Sequence, residues 1–194
     1  MTRGAGTATR RALAFGLLAA TPLVGQTVES KPPEVVADEF QRGFQSMAWA
    51  GLVQRVHPEA LADLRLAVRI VLDADSTGWA LDELLGGLTV RSEYEELDDA
   101  EVFRRVMSGV QARVPGLLSS LVSRRSEVLG EVRENGDTAH VVYRVRALVQ
   151  GAQPQIEVMT LVRGTAGWLV RSANELQVLH TAIRGIPIPV GGPP

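Results

Sequence analysis

Thr138-Ala-His-Val-Val-Tyr-Arg-Val-Arg-Ala-Leu148 decides the fold class of this chain. Ala139, Val141, Tyr143, Val145 and Ala147 fall on one side of the run, and His140, Arg144 and Arg146 on the other. A period of two residues is that of an extended strand with one buried face. Residues 155–163 repeat the pattern, and there the alternation groups Ile156, Val158, Thr160 and Val162. Shorter runs at 126–133 and 168–172 complete a set of strands. Turn residues separate them: Asn135-Gly136, Gly151 to Pro154, and Gly164 to Gly167. Asn-Gly between alternating runs favours a tight hairpin, because both residues tolerate positive φ. The expectation is an antiparallel sheet built from consecutive hairpins.

Upstream of the strands the period changes. Val36, Phe40, Phe44 and Met47 recur at helical spacing and predict a first helix that buries this stripe. Gly43 within it costs about 1 kcal/mol relative to alanine, which predicts a close approach by another element there. Trp49, Leu52, Val53 and Val56 form a second, shorter stripe. His57-Pro58-Glu59-Ala60-Leu61 then restarts the chain as a helix. Proline at a first helical position loses no hydrogen bond, and Glu59 lies at the positive end of the helix dipole. Leu61, Leu64, Val68, Val71 and Leu72 face inward on it. Asp98, with Glu101 three residues on, is the carboxylate form of a capping box and opens a helix that buries Val102, Phe103, Val106 and Val110. Pro115-Gly116 interrupts it, and Leu117, Leu118, Leu121 and Val122 resume the stripe. Residues 88–97 read two ways: Thr89, Val90 and Tyr94 favour a short strand, the glutamates an exposed loop. A last short helix carries Leu176, Leu179 and Ile183. Helices first and strands after is an α+β order, with N-terminal helices packed on an antiparallel sheet.

At 194 residues the chain holds one domain with a core of its own, placed at residues 34–185. Residues 1–26 read as a signal peptide: Arg3, Arg10 and Arg11 form a basic start, residues 12–20 an apolar stretch, and residues 21–26 a cleavage region. The apolar stretch is short for a membrane span. The expected location is periplasmic or secreted, with a membrane anchor as the outcome where the segment stays uncleaved. Residues 27–33 form a linker ending in Pro32-Pro33, and residues 186–194 a Pro/Gly-rich tail. Without residues 1–26 the chain loses three arginines and no acid, which takes 20 basic residues to 17 against 22 acidic ones, a net charge near −5. Both signs are interspersed, so no footprint for nucleic acid or an anionic membrane is left. There is no cysteine, which excludes disulfides, thiolate metal sites and a cysteine nucleophile.

Phe44, Trp49, Leu52, the break at His57-Pro58-Glu59-Ala60-Leu61 and the strand around Val142-Tyr143-Arg144 resemble the NTF2-like (cystatin-like) superfamily. The turn leading into Gly167-Trp168-Leu169-Val170 is similar to that family's final hairpin. The resemblance spans residues 34–180. It implies a strongly curved sheet that wraps a long helix and forms a cone-shaped pocket. The superfamily includes isomerases, dehydratases, polyketide cyclases, transport factors and exported proteins with no assigned activity. Its ketosteroid-isomerase and dehydratase types pair a tyrosine with an aspartate or histidine inside the cone.

Tyr143, Thr160 and Ser172 are the polar members of the expected inner face and hence the pocket candidates. By alternation no carboxylate or histidine shares that face, and Glu157 falls outside. A buried phenol can donate to a developing oxyanion, or else sits in the core with its hydroxyl satisfied locally. His57, ahead of Pro58, is either a structural residue or a base at the pocket mouth. His140 lies on the outer face with Arg144 and Arg146, and His180 in the last helix. No spacing among the histidines fits a metal site, and no cofactor motif occurs. Val142, Leu148, Met159 and Leu161 form an expected apolar patch on the outer face, suited to homodimerisation. The expected function is non-catalytic binding of a small apolar ligand or a protein partner. The alternative is a small lyase, isomerase or hydrolase acting in the cone with Tyr143 and His57.

Overall fold

The computed structural model describes residues 31–186. The signal-peptide reading, most of the linker and the tail from residue 187 lie outside that range. Helix α1 (Pro33–Gln45) opens on proline and buries Val36, Ala37, Phe40 and Phe44. Met47, expected in the same stripe, lies beyond the helix at φ 54° and is partly exposed. That left-handed residue turns the chain back into α2 (Trp49–Leu52), where Trp49 meets Phe44 edge-on at 5.4 Å. A Cβ on Gly43 would lie 3.1 Å from Leu52 Cδ1, the close approach anticipated for that glycine.

Helix α3 (Pro58–Ala74) starts where the His-Pro break predicts. His57 caps it: Nδ1 accepts from the Glu59 amide at 3.3 Å, while the His57 amide donates to the Val170 carbonyl at 2.9 Å. A wide turn at Ala80–Leu84 then leads to α4 (Arg91–Glu96), which is neither the strand nor the loop that residues 88–97 suggest. Glu93 is spent on its start, accepting from the Thr89 and Val90 amides at 2.8 and 3.3 Å. Tyr94 is fully buried and donates its hydroxyl to the Arg65 carbonyl at 3.0 Å.

Asp98 accepts from the Glu101 amide at 2.6 Å and begins α5 (Asp99–Arg113). The Glu101 carboxylate turns to Arg104 and Arg105 rather than back to the cap, so only half of the capping box forms. Helix α6 (Pro115–Val122) completes the helical part before the sheet.

The sheet order is β1 (Arg124–Glu134), β2 (Thr138–Ala147), β3 (Gln155–Gly164), β4 (Gly167–Ser172), each antiparallel to the next. Asn135 and Gly136 both have positive φ, 52° and 78°, as the first hairpin requires. Register shifts between Val128 and Gly130 and between Thr160 and Leu161 bend the strands, and the sheet curves. Helix α1 crosses all four strands, and α7 (Asn174–Arg184) returns to pack on α3. The protein is thus α+β, with helices on a curved four-stranded antiparallel sheet.

Strand β3 faces opposite to the expectation. Its ladder pairs Val141 with Met159 and Ala139 with Leu161, so Met159 and Leu161 are 0% exposed and cannot belong to an outer patch. Ile156 and Val158 are instead 59% and 50% exposed. Thr160 also points outward, its hydroxyl 3.1 Å from His140 Nδ1. The residues from Val158 to Val162 are apolar at four positions out of five, so alternation alone did not select the buried parity.

Candidate functional site

Tyr143 is buried on the inner face of β2, directly across from Glu157 of β3. The inner face therefore does carry a carboxylate. The Tyr143 hydroxyl donates to Glu157 Oε2 at 3.4 Å, a long bond. Glu157 Oε1 is held by the Arg124 guanidinium and by Asn174 Nδ2 at 3.3 Å. Arg124 also reaches toward Glu175 Oε1 at 3.6 Å, and that oxygen accepts from Gln41 Nε2 at 3.2 Å. Glu175 Oε2 has no hydrogen-bond partner among the described residues. Three strands and two helices thus converge on one polar cluster inside the apolar core.

Local sequence explains each position. Arg124 opens β1 as α6 ends, and Glu175 sits in the first turn of α7, where the dipole favours a carboxylate. Gln41 lies on the buried side of α1 between Phe40 and Phe44. Two carboxylates share one guanidinium, an imbalance that falls on Glu175. Burial pushes its carboxyl above the usual carboxylate range; the charge of Glu157 adds to this, while Gln41 and Arg124 oppose it. Burial, followed by the charges of Glu175 and Glu157, pushes the Tyr143 phenol far above its ordinary value. The phenol is neutral and its single proton is committed to Glu157. As a base, Glu157 is equally committed, to Arg124 and Asn174.

Three concave regions lie elsewhere, and Tyr143 lines none of them. A cleft of about 510 Å³ lies between α3, α7 and the end of β4. An open groove of about 790 Å³ runs from the start of α1 past Arg125 and Arg146, and an apolar hollow of about 340 Å³ lies beside Trp79 and Ile183. Ser172 lines the cleft rather than a cone, and its hydroxyl accepts from Gln177 Nε2 at 3.0 Å. His180 lines the same cleft. His57 caps α3 and belongs to neither the cluster nor the cleft.

Of the candidates read from sequence, the buried cluster thus contains Tyr143 alone. Glu157 was missed because the register of β3 was misread. Glu175 left a legible trace: it shares the i, i+4, i+8 row of Leu179 and Ile183, the buried side of α7. Asn174, Arg124 and Gln41 left none. Among the described residues no group of three or more histidine, aspartate or glutamate side chains is placed to hold a metal ion. No family model, curated protein or solved structure matches the chain.

Proposed function

We propose that this chain is an exported, non-catalytic domain of the NTF2-like type that binds a small, largely apolar ligand. The observation that carries the reading is the closed state of the Tyr143 cluster. Its phenol donates to Glu157, Arg124 and Asn174 hold that same carboxylate, and the cleft, groove and hollow described above lie away from it. A lyase, isomerase or hydrolase working at Tyr143 would need substrate to reach a hydroxyl that core side chains and Glu157 already surround. The order of elements and the curved sheet crossed by α1 support the family placement. The cleft between α3 and α7 suits the ligand, because Phe103, Leu64 and Val56 are buried on its floor and its size is that of a small-molecule site.

The full chain should be stabilised to heat by some members of a panel of small apolar compounds, and Tyr143→Phe should retain the same stabilisation. A chemical conversion of any panel member by the parent protein, abolished in Tyr143→Phe, would overturn the non-catalytic reading.

A second copy of the chain is the partner that the outer sheet face fits. Val132, Val142, Ile156 and Val158 lie there on neighbouring strands, with Val132 61% exposed. The adjacent row pairs Glu127 with Arg144 at 3.1 Å, and a two-fold axis would set each of these against its opposite on the other copy. Val142 pairs with Val158 on this face, Leu148 is exposed one residue beyond the end of β2, and Ile156 and Val158 take the positions expected of Met159 and Leu161.

A further inference from the structure

We infer that the cleft between α3, α7 and β4 takes an amphipathic carboxylate, with its head on His180 and Arg184 and its apolar body over Phe103 and Leu64. This rests on the ligand-binding reading above and adds the chemical class of the ligand. The two ends of the cleft differ in how their polar groups are used. At one end Arg171 is held by Glu59 at 2.8 Å and Asp63 at 3.1 Å, and Gln177 is held by Ser172. Those donors have their acceptors within the chain.

At the other end, His180 and Arg184 lie four residues apart on α7, and both line the cleft. Residues at that spacing share one helix face, and their side chains lean together toward the helix start. Neither side chain has a hydrogen bond or ion pair with another described residue. Their nearest lining acid, Asp63, is already bound to Arg171. A guanidinium and an imidazole therefore line one end of the cleft with no acceptor among the described residues. A carboxylate supplies two acceptor oxygens and the charge that Arg184 lacks a partner for, and a planar guanidinium matches it in two parallel bonds. The cleft is also lined by buried Phe103, Leu64 and Val56, whose side chains offer a ligand no hydrogen bond. An apolar body is the fit there, and 510 Å³ accommodates a short acyl chain or a ring system.

Calorimetric titration of the full chain with octanoate, octanol and octylamine separates the parts of the inference. Octanoate should bind at least about 10-fold more tightly than octanol, and octylamine more weakly than either. Arg184→Gln, at an exposed position, should bring octanoate down to the affinity of octanol and leave octanol unchanged. The paired variant His180→Phe should reduce the octanoate margin in the same direction. Equal binding of octanoate and octanol, or an octanoate margin that survives Arg184→Gln, overturns the carboxylate head while leaving an apolar ligand in place. Binding of none of the three overturns the head and the ligand-binding reading together.

Discussion

Arg124 is the residue on which the buried cluster depends. Among the described residues it is the one cation paired with Glu157 and Glu175, and its side chain is 11% exposed. Replacing it with methionine leaves two carboxylates inside the core without a counter-charge. Removal of one partner from a buried ion pair costs about 3–5 kcal/mol, so Arg124→Met should lower stability by that order in urea unfolding. Tyr143→Phe should cost far less, under about 1 kcal/mol, because the lost bond is long and Glu157 keeps its other partners. Glu175 adds a pH signature. Its carboxyl is raised in the folded protein, so between the ordinary carboxylate value and its folded value the folded state holds a proton that the unfolded state has released. The stabilisation is complete at pH below the ordinary value and is lost as pH rises through the folded one. Glu175→Gln keeps the neutral form at every pH. Its stability relative to the parent should therefore grow from pH 4 to pH 7. Parallel stability–pH curves for the two proteins would rule this account out.

At the scale of elements, the helical layer is pinned where α5 crosses the turn at Ala80–Leu84. A Cβ on Gly109 would lie 2.3 Å from the Leu84 carbonyl oxygen and 2.8 Å from its carbonyl carbon. Backbone is the obstacle, so no side chain can swing aside. Alanine is the better helix former, yet Gly109→Ala must push two elements apart, and overpacking of this kind costs about 1–3 kcal/mol or more. Gly43→Ala meets only the tip of Leu52, which can shift, and should be the milder change. Thermal unfolding of the two variants side by side tests the ranking: a larger loss for Gly43→Ala would mean that the α5 contact is softer than its geometry implies. The same contrast shows what could be read early. Gly43 stands within a clear apolar stripe and announced its close neighbour. Gly109 stands between Met107 and Val110 in a similar stripe, but its obstacle is a carbonyl 25 residues upstream that only packing brings near.

At the scale of the whole molecule, the proposed dimer would form through the outer sheet face. Exposed Val132, Ile156 and Val158 on adjacent strands favour a dimer of sheet on sheet. Sedimentation at micromolar concentration should give the mass of two chains, and Val158→Asp should return that of one with the fold intact. A single-chain mass for the parent protein would eliminate the sheet dimer. The proposed ligand cleft lies on the α3–α7 side of the molecule, away from this face, so Val158→Asp should leave octanoate binding unaltered.

Apart from α4, which forms where a strand or loop was expected, the element types, their order, the helix starts at Pro58 and Asp98 and the hairpin at Asn135-Gly136 followed from the sequence alone. Each of these depends on local backbone preference or on the period of a continuous run. Which face of β3 turned inward did not follow, because a register slip of one residue exchanges every side chain between core and solvent. The ladder to β2, which lies under α1, buried Met159 and Leu161 and carried Glu157 in beside Tyr143. The chemistry of the core was decided there. A tyrosine that alternation leaves alone on an apolar face acquires a carboxylate from the next strand and a guanidinium from the strand before. Its last neighbours come from the two ends of the domain: Gln41 and Glu175 are 134 residues apart in sequence and hydrogen-bonded in the fold.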